Sequence, residues 1–498
     1  MYEAMCELRP SINIVYDFYY KDHAREFKRR YPEADSPYSV FEESVYSKWQ
    51  GTASDWREVE EFEERYEIPL GQAIIGDVYH EIFGALPHSK HTNLEWYRRY
   101  VLICFNYFEE ILKAQAIDAV VYEAPNSVPT RVLHSVAKQM GIPTISLYAS
   151  LFENRMWFGM GQSARNVLLD HYFAEAPELL TEEDYERGDA YISRIRDEGR
   201  MAYYVAGRNL APRLRPRLRW LSIPVRVVEE YVRELIQRKR SAEDWIVRQH
   251  VSWKAPERFR IRRALTRRRN AQFVCRHWCA PNLHEEYVVF FLQMQPEVTT
   301  LGWAPFCMEQ AELVKKIAIS LPGRFWLYVK EHPADLGSRG RGFYEDLLKF
   351  PNVRFIEAFA NSIDLIRRAS VVCTITGTPG IEAIVLGKPV VVFGDCYYDG
   401  FPGVWKVKNP EDLPYTIRQC TNYTPDPVLI RRFAAAYAKS TFEGNLSVSN
   451  AGDVEEIASV ENAISVTRSI LWYLDWLRAS EGKRGKEPQS TIACRVAG

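Results

Sequence analysis

Residues 373–394 have the sequence CTITGTPGIEAIVLGKPVVVFG. The β-branched run over 370–375 predicts a strand, and a turn of small residues leads from it into a short helix. Gly387 ends that helix before a second, buried strand. Ligands bind at the carboxyl ends of strands in open α/β sheets, and a helix that begins there directs backbone N–H groups at a phosphate. The segment therefore predicts a nucleotide-binding turn, although any α/β turn of small residues would have a similar sequence.

The turn and the start of the helix supply candidate ligands for a nucleotide. Thr376 and Thr378 carry hydroxyls, and Gly377 and Gly380 let an anion approach the backbone closely. Glu382 lies one turn into the helix, where its carboxylate can accept hydrogen bonds from ribose hydroxyls. We expect these residues to bind a phosphate and a ribose.

Two strands predicted upstream also end in polar side chains. One ends just before Lys330 and His332, which could neutralise the charge of a leaving nucleotide. The other ends before the turn that holds Gln295 and Glu297. Carboxyl ends of parallel strands meet at one edge of a sheet, so all three strand ends are expected to share a site. A lone histidine at a strand end is more often a structural hydrogen-bonding group.

The motifs at these strand ends resemble those of the capsule polysaccharide biosynthesis glycosyltransferases, which include the bacterial β-Kdo transferases with their paired QP and HP motifs. The matching segments are LQMQPE (292–297), LYVKEHP (327–333), TGTPGIEA (376–383), GKPVVVFG (387–394) and FPGV (401–404). CDP-glycerol glycerophosphotransferases and polysialyltransferases share the layout more distantly. The resemblance is specific over about 287–404, weak over the N-terminal half and absent from the basic middle of the chain.

The resemblance implies an α/β fold of the GT-B type, with two Rossmann-like domains and no metal or other cofactor. It places a nucleotide-sugar donor on the C-terminal domain. We predict an acceptor-side domain (1–175), a helical basic segment (176–280), a nucleotide-sugar domain (281–424), C-terminal helices that cross back onto the first domain (425–480) and a disordered tail (481–498).

Composition and charge are those of a globular protein that does not bind nucleic acid. The net charge is −1, and no recognition-module signature accompanies the basic clusters. The nine cysteines are scattered without metal-ligand spacing, which is typical of reduced, cytosolic thiols. No signal peptide and no long apolar run are found. A cytoplasmic location is expected, with peripheral attachment to the inner face of the cell membrane left open.

The basic middle of the chain holds two arginine clusters, PRLRPRLRW (212–220) and ERFRIRRALTRRRN (257–270). The arginines at 213–219 and 258–269 could dock on an anionic membrane, where each basic residue adds on the order of 1 kcal/mol. They could also bind an anionic polysaccharide or a partner enzyme. A solvated helical hairpin is the alternative without a binding function.

A predicted βαβ unit over 118–147 belongs to the acceptor-side domain. Glu123 follows its first strand and faces the predicted cleft, so it is the candidate catalytic base, although it could equally be a salt-bridge partner. Glu153, on the loop after the next strand, is the rival base. Arg155 could bind an acidic acceptor or the donor phosphate.

The resemblance, together with these residues, implies a glycosyltransferase that moves a sugar from a nucleotide-sugar to a growing surface or capsular polysaccharide, or to its lipid-linked acceptor. Gln295 and Glu297 would shape the donor-sugar pocket. If the donor carried a diphosphate, Lys388 and Arg339 would supply the additional positive charge that binds it. The alternatives are a sugar-nucleotide epimerase, a CDP-glycerol-type phosphotransferase and a non-catalytic scaffold of a polysaccharide assembly complex.

Overall fold

A computed structural model of the protein describes residues 2–9, 13–32, 38–53, 55–82, 93–122, 126–161, 165–197, 257–446, 457, 459–480 and 491–496. Within these ranges the chain forms two separate β-sheets, each flanked by helices. Both sheets are mainly parallel, and the buried faces of their strands hold the hydrophobic cores. None of the described helices combines the length and the apolar character that crossing a membrane requires.

The first sheet has seven described strands in the order β12-β5-β4-β3-β13-β1-β2. They are β1 (Asn13–Phe18), β2 (Tyr38–Val40), β3 (Ala119–Tyr122), β4 (Thr144–Ala149), β5 (Arg155–Met160), β12 (Phe442–Glu443) and β13 (Thr491–Val496). Strand β5 pairs antiparallel with β4 and with β12, whereas the remaining pairs are parallel.

Nine α-helices are described between residues 2 and 197. They are α1 (Tyr2–Leu8), α2 (Lys21–Arg30), α3 (Phe41–Trp49), α4 (Trp56–Tyr66), α5 (Leu70–Ile82), α6 (Leu94–Ala114), α7 (Val128–Gln139), α8 (Val167–Asp170) and α9 (Glu182–Arg196). Helix α6 is the centre of the core on this side, because α3, α4, α5 and α7 all pack against it.

The C-terminal end of the chain departs from the prediction of a disordered tail over 481–498. Strand β13 lies in the first sheet between β1 and β3 and pairs parallel with both. Its sequence, TIACRV, is short and β-branched at both ends, which suits a central strand. The polar character of the residues before it concealed this strand, because a sequence pattern does not show which distant strands will be its neighbours.

The second sheet contains six parallel strands in the order β11-β10-β9-β6-β7-β8. They are β6 (Tyr287–Phe291), β7 (Trp326–Lys330), β8 (Val353–Ile356), β9 (Val371–Thr374), β10 (Val390–Val392) and β11 (Val404–Lys406). The chain leaves β6 towards β8, then returns to β9 on the other side of β6. The sheet is therefore doubly wound, with its topological switch point between β6 and β9.

The α-helices described from residue 257 onwards complete both halves. They are α10 (Glu257–Cys275), α11 (Val298–Leu301), α12 (Gln310–Ser320), α13 (Arg341–Leu347), α14 (Ser362–Arg368), α15 (Pro379–Val385), α16 (Leu413–Thr421), α17 (Pro427–Lys439) and α18 (Val460–Ser480). Helix α18 packs against α1 and β12, so it lies on the first sheet. The predicted α/β fold, with two mainly parallel sheets and helices around each, is confirmed.

Helices α9 and α17 form the most extensive helix pair in the described chain. Gly188 makes the close approach possible, because a Cβ there would lie 2.7 Å from the backbone nitrogen of Ala435. Asp189 receives a bidentate ion pair from Arg431, with oxygen–nitrogen distances of 2.8 to 3.0 Å. Helix α9, placed by the sequence in the basic segment, thus packs against the C-terminal helices.

Candidate active site

A cavity of about 550 Å³ lies at the carboxyl ends of β6, β7 and β9, and the end of β4 lines it from the first sheet. This is the switch point of the second sheet, where doubly wound folds bind ligands. Of the predicted site residues, the cavity lining includes Glu297, Lys330, His332, Thr376, Gly377, Thr378 and Glu382. The predicted convergence of three strand ends is therefore observed.

His332 begins a single 3₁₀ turn at the end of β7, and its ring is held by the backbone. The amide of Ala334 donates to His332 Nδ1 at 3.2 Å. An amide can only donate, so Nδ1 is the accepting nitrogen and the neutral imidazole carries its proton on Nε2. A ring in this tautomer can donate a proton from Nε2 to a group in the cavity.

Lys330 is buried beside the cavity, with 4% of its surface exposed. Its ammonium donates to the carbonyl oxygen of Ala358 at 2.8 Å. Burial lowers the pKa of Lys330 to about 8, against the opposing influence of the Glu382 and Glu331 carboxylates. The lysine is therefore a cation at neutral pH that titrates within reach of ordinary buffers.

The affinity of the cavity for a phosphate-bearing ligand is expected to fall as the pH rises through about 8. Lys330 is charged below that pH and neutral above it, so each further pH unit removes up to about tenfold of affinity. Nucleotide titrations between about pH 6.5 and 9.5 measure the slope. Lys330→Arg keeps its charge throughout and should show little slope. An equal slope in both proteins would contradict the assignment.

A buried ion cluster lies behind His332 and Lys330. Arg339 pairs with Glu331 and, at 3.0 Å, with Asp335, while the Tyr344 hydroxyl donates to Glu331 at 2.7 Å. Burial opposes the charge on Arg339, but the two carboxylates outweigh it and raise its pKa. Arg339 is thus committed to this cluster, and the expectation that it would join a diphosphate is wrong.

The turn after β9 satisfies most of its own polar groups. The Gln293 amide donates to Thr376 Oγ1 at 3.2 Å, and that hydroxyl donates to the Thr299 carbonyl at 3.0 Å. The Gly377 amide donates to Thr374 Oγ1 at 3.1 Å. Thr376 therefore ties two loops together, which corrects its predicted role as a phosphate ligand. Within the described chain, the Thr378 amide makes no hydrogen bond, so Thr378 is the part of the turn that can receive an anion.

Gly380 is required by packing rather than by the approach of an anion. A Cβ at this position would lie 2.4 Å from the Tyr398 hydroxyl, which donates to the Gly377 carbonyl at 2.6 Å. Its amide is also used, because it donates to the same carbonyl at 3.1 Å. The predicted role of Gly380 in phosphate binding is replaced by a structural one.

Gly380→Ala is expected to destabilise the protein by roughly 1–3 kcal/mol, the usual cost of forcing extra volume into a packed site. Gly342→Ala is the matched control, because nothing lies within 4 Å of a Cβ there and alanine favours the helix. Chemical denaturation of both variants measures the difference. Equal midpoints for the two variants would show that Tyr398 has room to move.

Two of the remaining predicted donor residues lie away from the cavity. Gln295 is buried and donates to the Met308 carbonyl at 2.8 Å, so it supports the following loop. Lys388 follows α15 at the start of β10, which is the opposite edge of the sheet. Glu297 does line the cavity, and the Thr299 hydroxyl donates to its carboxylate at 3.0 Å.

An aromatic wall that the sequence did not predict forms part of the cavity. Tyr148 stacks on Trp157 with ring centroids 4.6 Å apart, and Trp303 and Tyr397 contact this pair at 5.3 and 4.5 Å. All four line the cavity. The available signal was the aromatic surplus of the chain, but the four rings come from distant positions that only the fold brings together.

The predicted catalytic carboxylates of the first domain are not found in the described cavity. Glu123 lies outside the described residues. Glu153 is exposed on a loop that folds towards α17, where the Tyr437 hydroxyl accepts from the Leu151 amide at 3.2 Å. Arg155 donates to Thr441 Oγ1 at 2.7 Å and to its carbonyl, so it supports β12 rather than an acceptor.

The basic segment is only partly described. The cluster at 213–219 and the side chains of Arg258 and Arg260 lie outside the described residues. The rest of the second cluster forms α10, in which Arg262, Arg268 and Arg269 are exposed and Arg267 is half-buried.

Sequence comparisons identify relatives of the second half of the chain. The model of the capsule polysaccharide biosynthesis protein family matches residues 233–441. Capsule polysaccharide modification protein LipA of Neisseria meningitidis serogroup B is 29% identical over 148 residues, which are 29% of this chain and 20% of LipA. LipA of a serogroup A strain is 28% identical over the same length. The chain thus spans about a fifth of the curated relatives it matches.

Solved structures show only a loose likeness. The β-Kdo 2,4 transferase KpsC of Thermosulfurimonas dismutans is 16% identical with a TM-score of 0.38, covering 68% of this chain and 85% of that one. The UDP-GlcNAc 2-epimerase of Neisseria meningitidis is 12% identical with a TM-score of 0.26, covering 94% and 100%. Scores of this size support no conclusion about this chain. The family match covers the residues that build the second sheet and its cavity: over this part the chain is similar to the capsule polysaccharide biosynthesis proteins.

Proposed function

We propose that the protein transfers a sugar from a nucleotide-sugar donor to a growing surface or capsular polysaccharide, or to its lipid-linked acceptor. The observation that carries the proposal is the cavity at the switch point, where Lys330, His332 and Glu382 face the end of β4. A donor bound there would lie against the second sheet and expose its sugar towards the first. The similarity of residues 233–441 to the capsule polysaccharide biosynthesis protein family supports a reaction of this kind.

The residues have separate roles in this reaction. Lys330 and Thr378 bind the donor phosphate, and Glu382 accepts hydrogen bonds from the ribose. His332 donates from Nε2 to the phosphate oxygen on which charge develops as the glycosidic bond breaks. An acceptor hydroxyl needs a base, for which we propose Glu123 or, among the described carboxylates of the cavity, Glu297.

The charge of the cavity favours a donor with a single phosphate. Among its described lining residues, Lys330 and His332 are the basic ones, whereas Glu297, Glu331 and Glu382 are acidic. The charge of Arg339 is neutralised by its buried ion pairs with Glu331 and Asp335, and Lys388 lies at the other edge of the sheet. A diphosphate would need more positive charge than this. A sugar linked to a nucleoside monophosphate, such as a CMP-sugar, therefore fits best.

The aromatic wall offers a surface for the transferred sugar or the acceptor. Tyr148 and Trp157 come from strands of the first sheet, while Trp303 and Tyr397 come from loops that connect the elements around the second sheet. Aromatic rings pack well against the C–H faces of sugar rings because both surfaces are flat and apolar. The exposed arginines of α10 would favour an anionic membrane or a charged polysaccharide near the site, consistent with a protein at the cytoplasmic face.

A thermal-shift titration with CMP, CDP, UDP, GDP and their sugar conjugates identifies the donor, because a ligand that binds only the folded state raises the melting temperature. Mass spectrometry of an oligosaccharide acceptor then detects the added sugar. We expect stabilisation by one cytidine monophosphate family and transfer that depends on acceptor. A product formed without acceptor would indicate an epimerase, and turnover of CDP-glycerol a phosphotransferase. If no nucleotide changed the melting temperature, a non-catalytic scaffold of a polysaccharide assembly complex would be favoured.

A further inference from the structure

Helix α10, the described part of the arginine-rich segment, packs on the loop that follows His332. Arg267 Nε donates to the Leu336 carbonyl at 3.0 Å, and its terminal nitrogen donates to the Ala334 carbonyl. One turn later, Asn270 donates to the Gly337 carbonyl at 3.2 Å. Three backbone carbonyl oxygens of the loop therefore accept hydrogen bonds from two side chains of one helix.

The backbone of the loop also touches the helix directly. Gly337 has a φ of +80°, and a Cβ there would lie 2.1 Å from the Arg267 carbonyl oxygen and 2.9 Å from the Ala271 side chain. Only glycine fits this position, because it satisfies both the left-handed conformation and the close approach. The helix and the loop are therefore closely packed at this point, and the packing requires glycine at position 337.

Ala334 connects this interface to the candidate catalytic ring. Its carbonyl accepts from Arg267, and its amide donates to His332 Nδ1 at 3.2 Å. The hydrogen bond from Arg267 fixes the position of Ala334. The hydrogen bond from the Ala334 amide sets the tautomer and orientation of the His332 imidazole. On its other side, the loop is held by the ion pair between Arg339 and Asp335 at 3.0 Å.

We infer that Arg267 is a positioning residue, which fixes His332 through Ala334 for the transfer reaction proposed above. The inference rests on the proposed function for its effect on rate, but the effect on the His332 ring follows from the contacts alone. A guanidinium suits the task because its fork of donors reaches two carbonyl oxygens at once. The arginine-rich helix is accordingly part of the site, whatever its exposed arginines bind.

Arg268 provides the matched control. It is the next residue on the same helix, has the same charge and is exposed, whereas Arg267 is half-buried. If the helix acted only through its overall positive charge, Arg267→Met and Arg268→Met would have equal effects. If Arg267 positions His332, only the first substitution matters.

The test measures steady-state kinetics together with hydrogen–deuterium exchange at the imidazole C2 of each histidine, read by mass spectrometry of peptides. Arg267→Met should lower kcat roughly 10- to 100-fold, the range expected for a misplaced catalytic group, with little change in the donor KM. It should also change the exchange rate of His332 while the other histidines keep theirs. Arg268→Met should match the wild type in both measurements.

Two outcomes separate this inference from the proposed function. Altered His332 exchange in Arg267→Met, in a protein that transfers no sugar, would uphold the positioning contact and reject the transferase. Unchanged His332 exchange, or equal effects of the two substitutions, would overturn the inference. Arg267→Lys, which can reach one carbonyl, should lie between wild type and Arg267→Met, and it serves as the test if the methionine variant does not fold.

Discussion

Replacing His332 by alanine is expected to lower the rate of sugar transfer by about 10²- to 10⁴-fold, the usual contribution of a positioned general acid. The ring lies at the cavity, and its Nδ1 accepts from the Ala334 amide, so the neutral ring carries its proton on Nε2, from which we propose that it donates. Donor affinity should change much less, because Lys330 and Thr378 remain. Steady-state kinetics and nucleotide titration of the variant give both quantities.

His284→Ala is the control for this variant, because His284 is exposed. Both variants should unfold at temperatures close to that of the wild type, since the His332 side chain lines the cavity rather than filling a core. Transfer by His332→Ala at the wild-type rate would remove His332 from the mechanism. An equal loss in the control would point to a general effect of histidine removal.

Replacing Lys330 by methionine should weaken nucleotide binding by roughly 10- to 150-fold. A hydrogen bond to a charged group contributes about 1.5–3 kcal/mol, and about 1.4 kcal/mol corresponds to a tenfold change in affinity. Among the described residues that line the cavity, Lys330 is the one lysine. Its positive charge also interacts favourably with the negative charge of Glu382. The dissociation constant of the nucleotide, measured by calorimetry, checks this expectation.

Lys388→Met makes the same chemical change at the opposite edge of the same sheet. Burial lowers the pKa of Lys388 as well, although Lys388 is only half-buried, so the control is a lysine whose charge is opposed by the same effect. We expect nucleotide affinity to be unchanged in this variant. Equal losses in the two variants would mean that the phosphate does not lie at the carboxyl ends of the strands.

The second sheet could be predicted from the sequence because its strands are buried on both faces. Such strands appear as continuous apolar runs, as in β6 and β7, and the polar residues that follow them then stand out. Lys330, His332, Thr378 and Glu382, which line the cavity, were singled out for this reason. The pattern of strand, polar turn and helix is local, so it does not depend on distant parts of the chain.

The errors concern residues whose role is set by contacts far away in sequence. Gly380 faces Tyr398, and Thr376 holds Gln293 and Thr299. Arg267 looked like one more surface charge in an arginine-rich run, yet it contacts the loop at Ala334. Composition and spacing carry no information about such pairs. The same reason explains why the aromatic wall and strand β13 were not predicted.

Glu382→Gln tests the predicted ribose contact. The amide retains a hydrogen-bond acceptor but loses the charge, so nucleotide affinity should fall by about 1–2 kcal/mol, within the range for losing a charged hydrogen bond. The 2′-deoxynucleotide is the matched ligand, because it lacks a hydroxyl for this carboxylate to bind. If Glu382 contacts the 2′-hydroxyl, the substitution should cost less with the deoxynucleotide. The same cost with both ligands would exclude that contact.

Hydrogen–deuterium exchange of the backbone with and without the bound nucleotide tests the central claim most directly, because it locates the ligand on the chain. We predict that CMP or its sugar conjugate slows exchange in the segments 292–299, 328–334 and 374–382, which surround the cavity at the switch point. The protection should disappear in Lys330→Met and persist in Lys388→Met. Protection confined to other segments would contradict a donor site at the carboxyl ends of β6, β7 and β9.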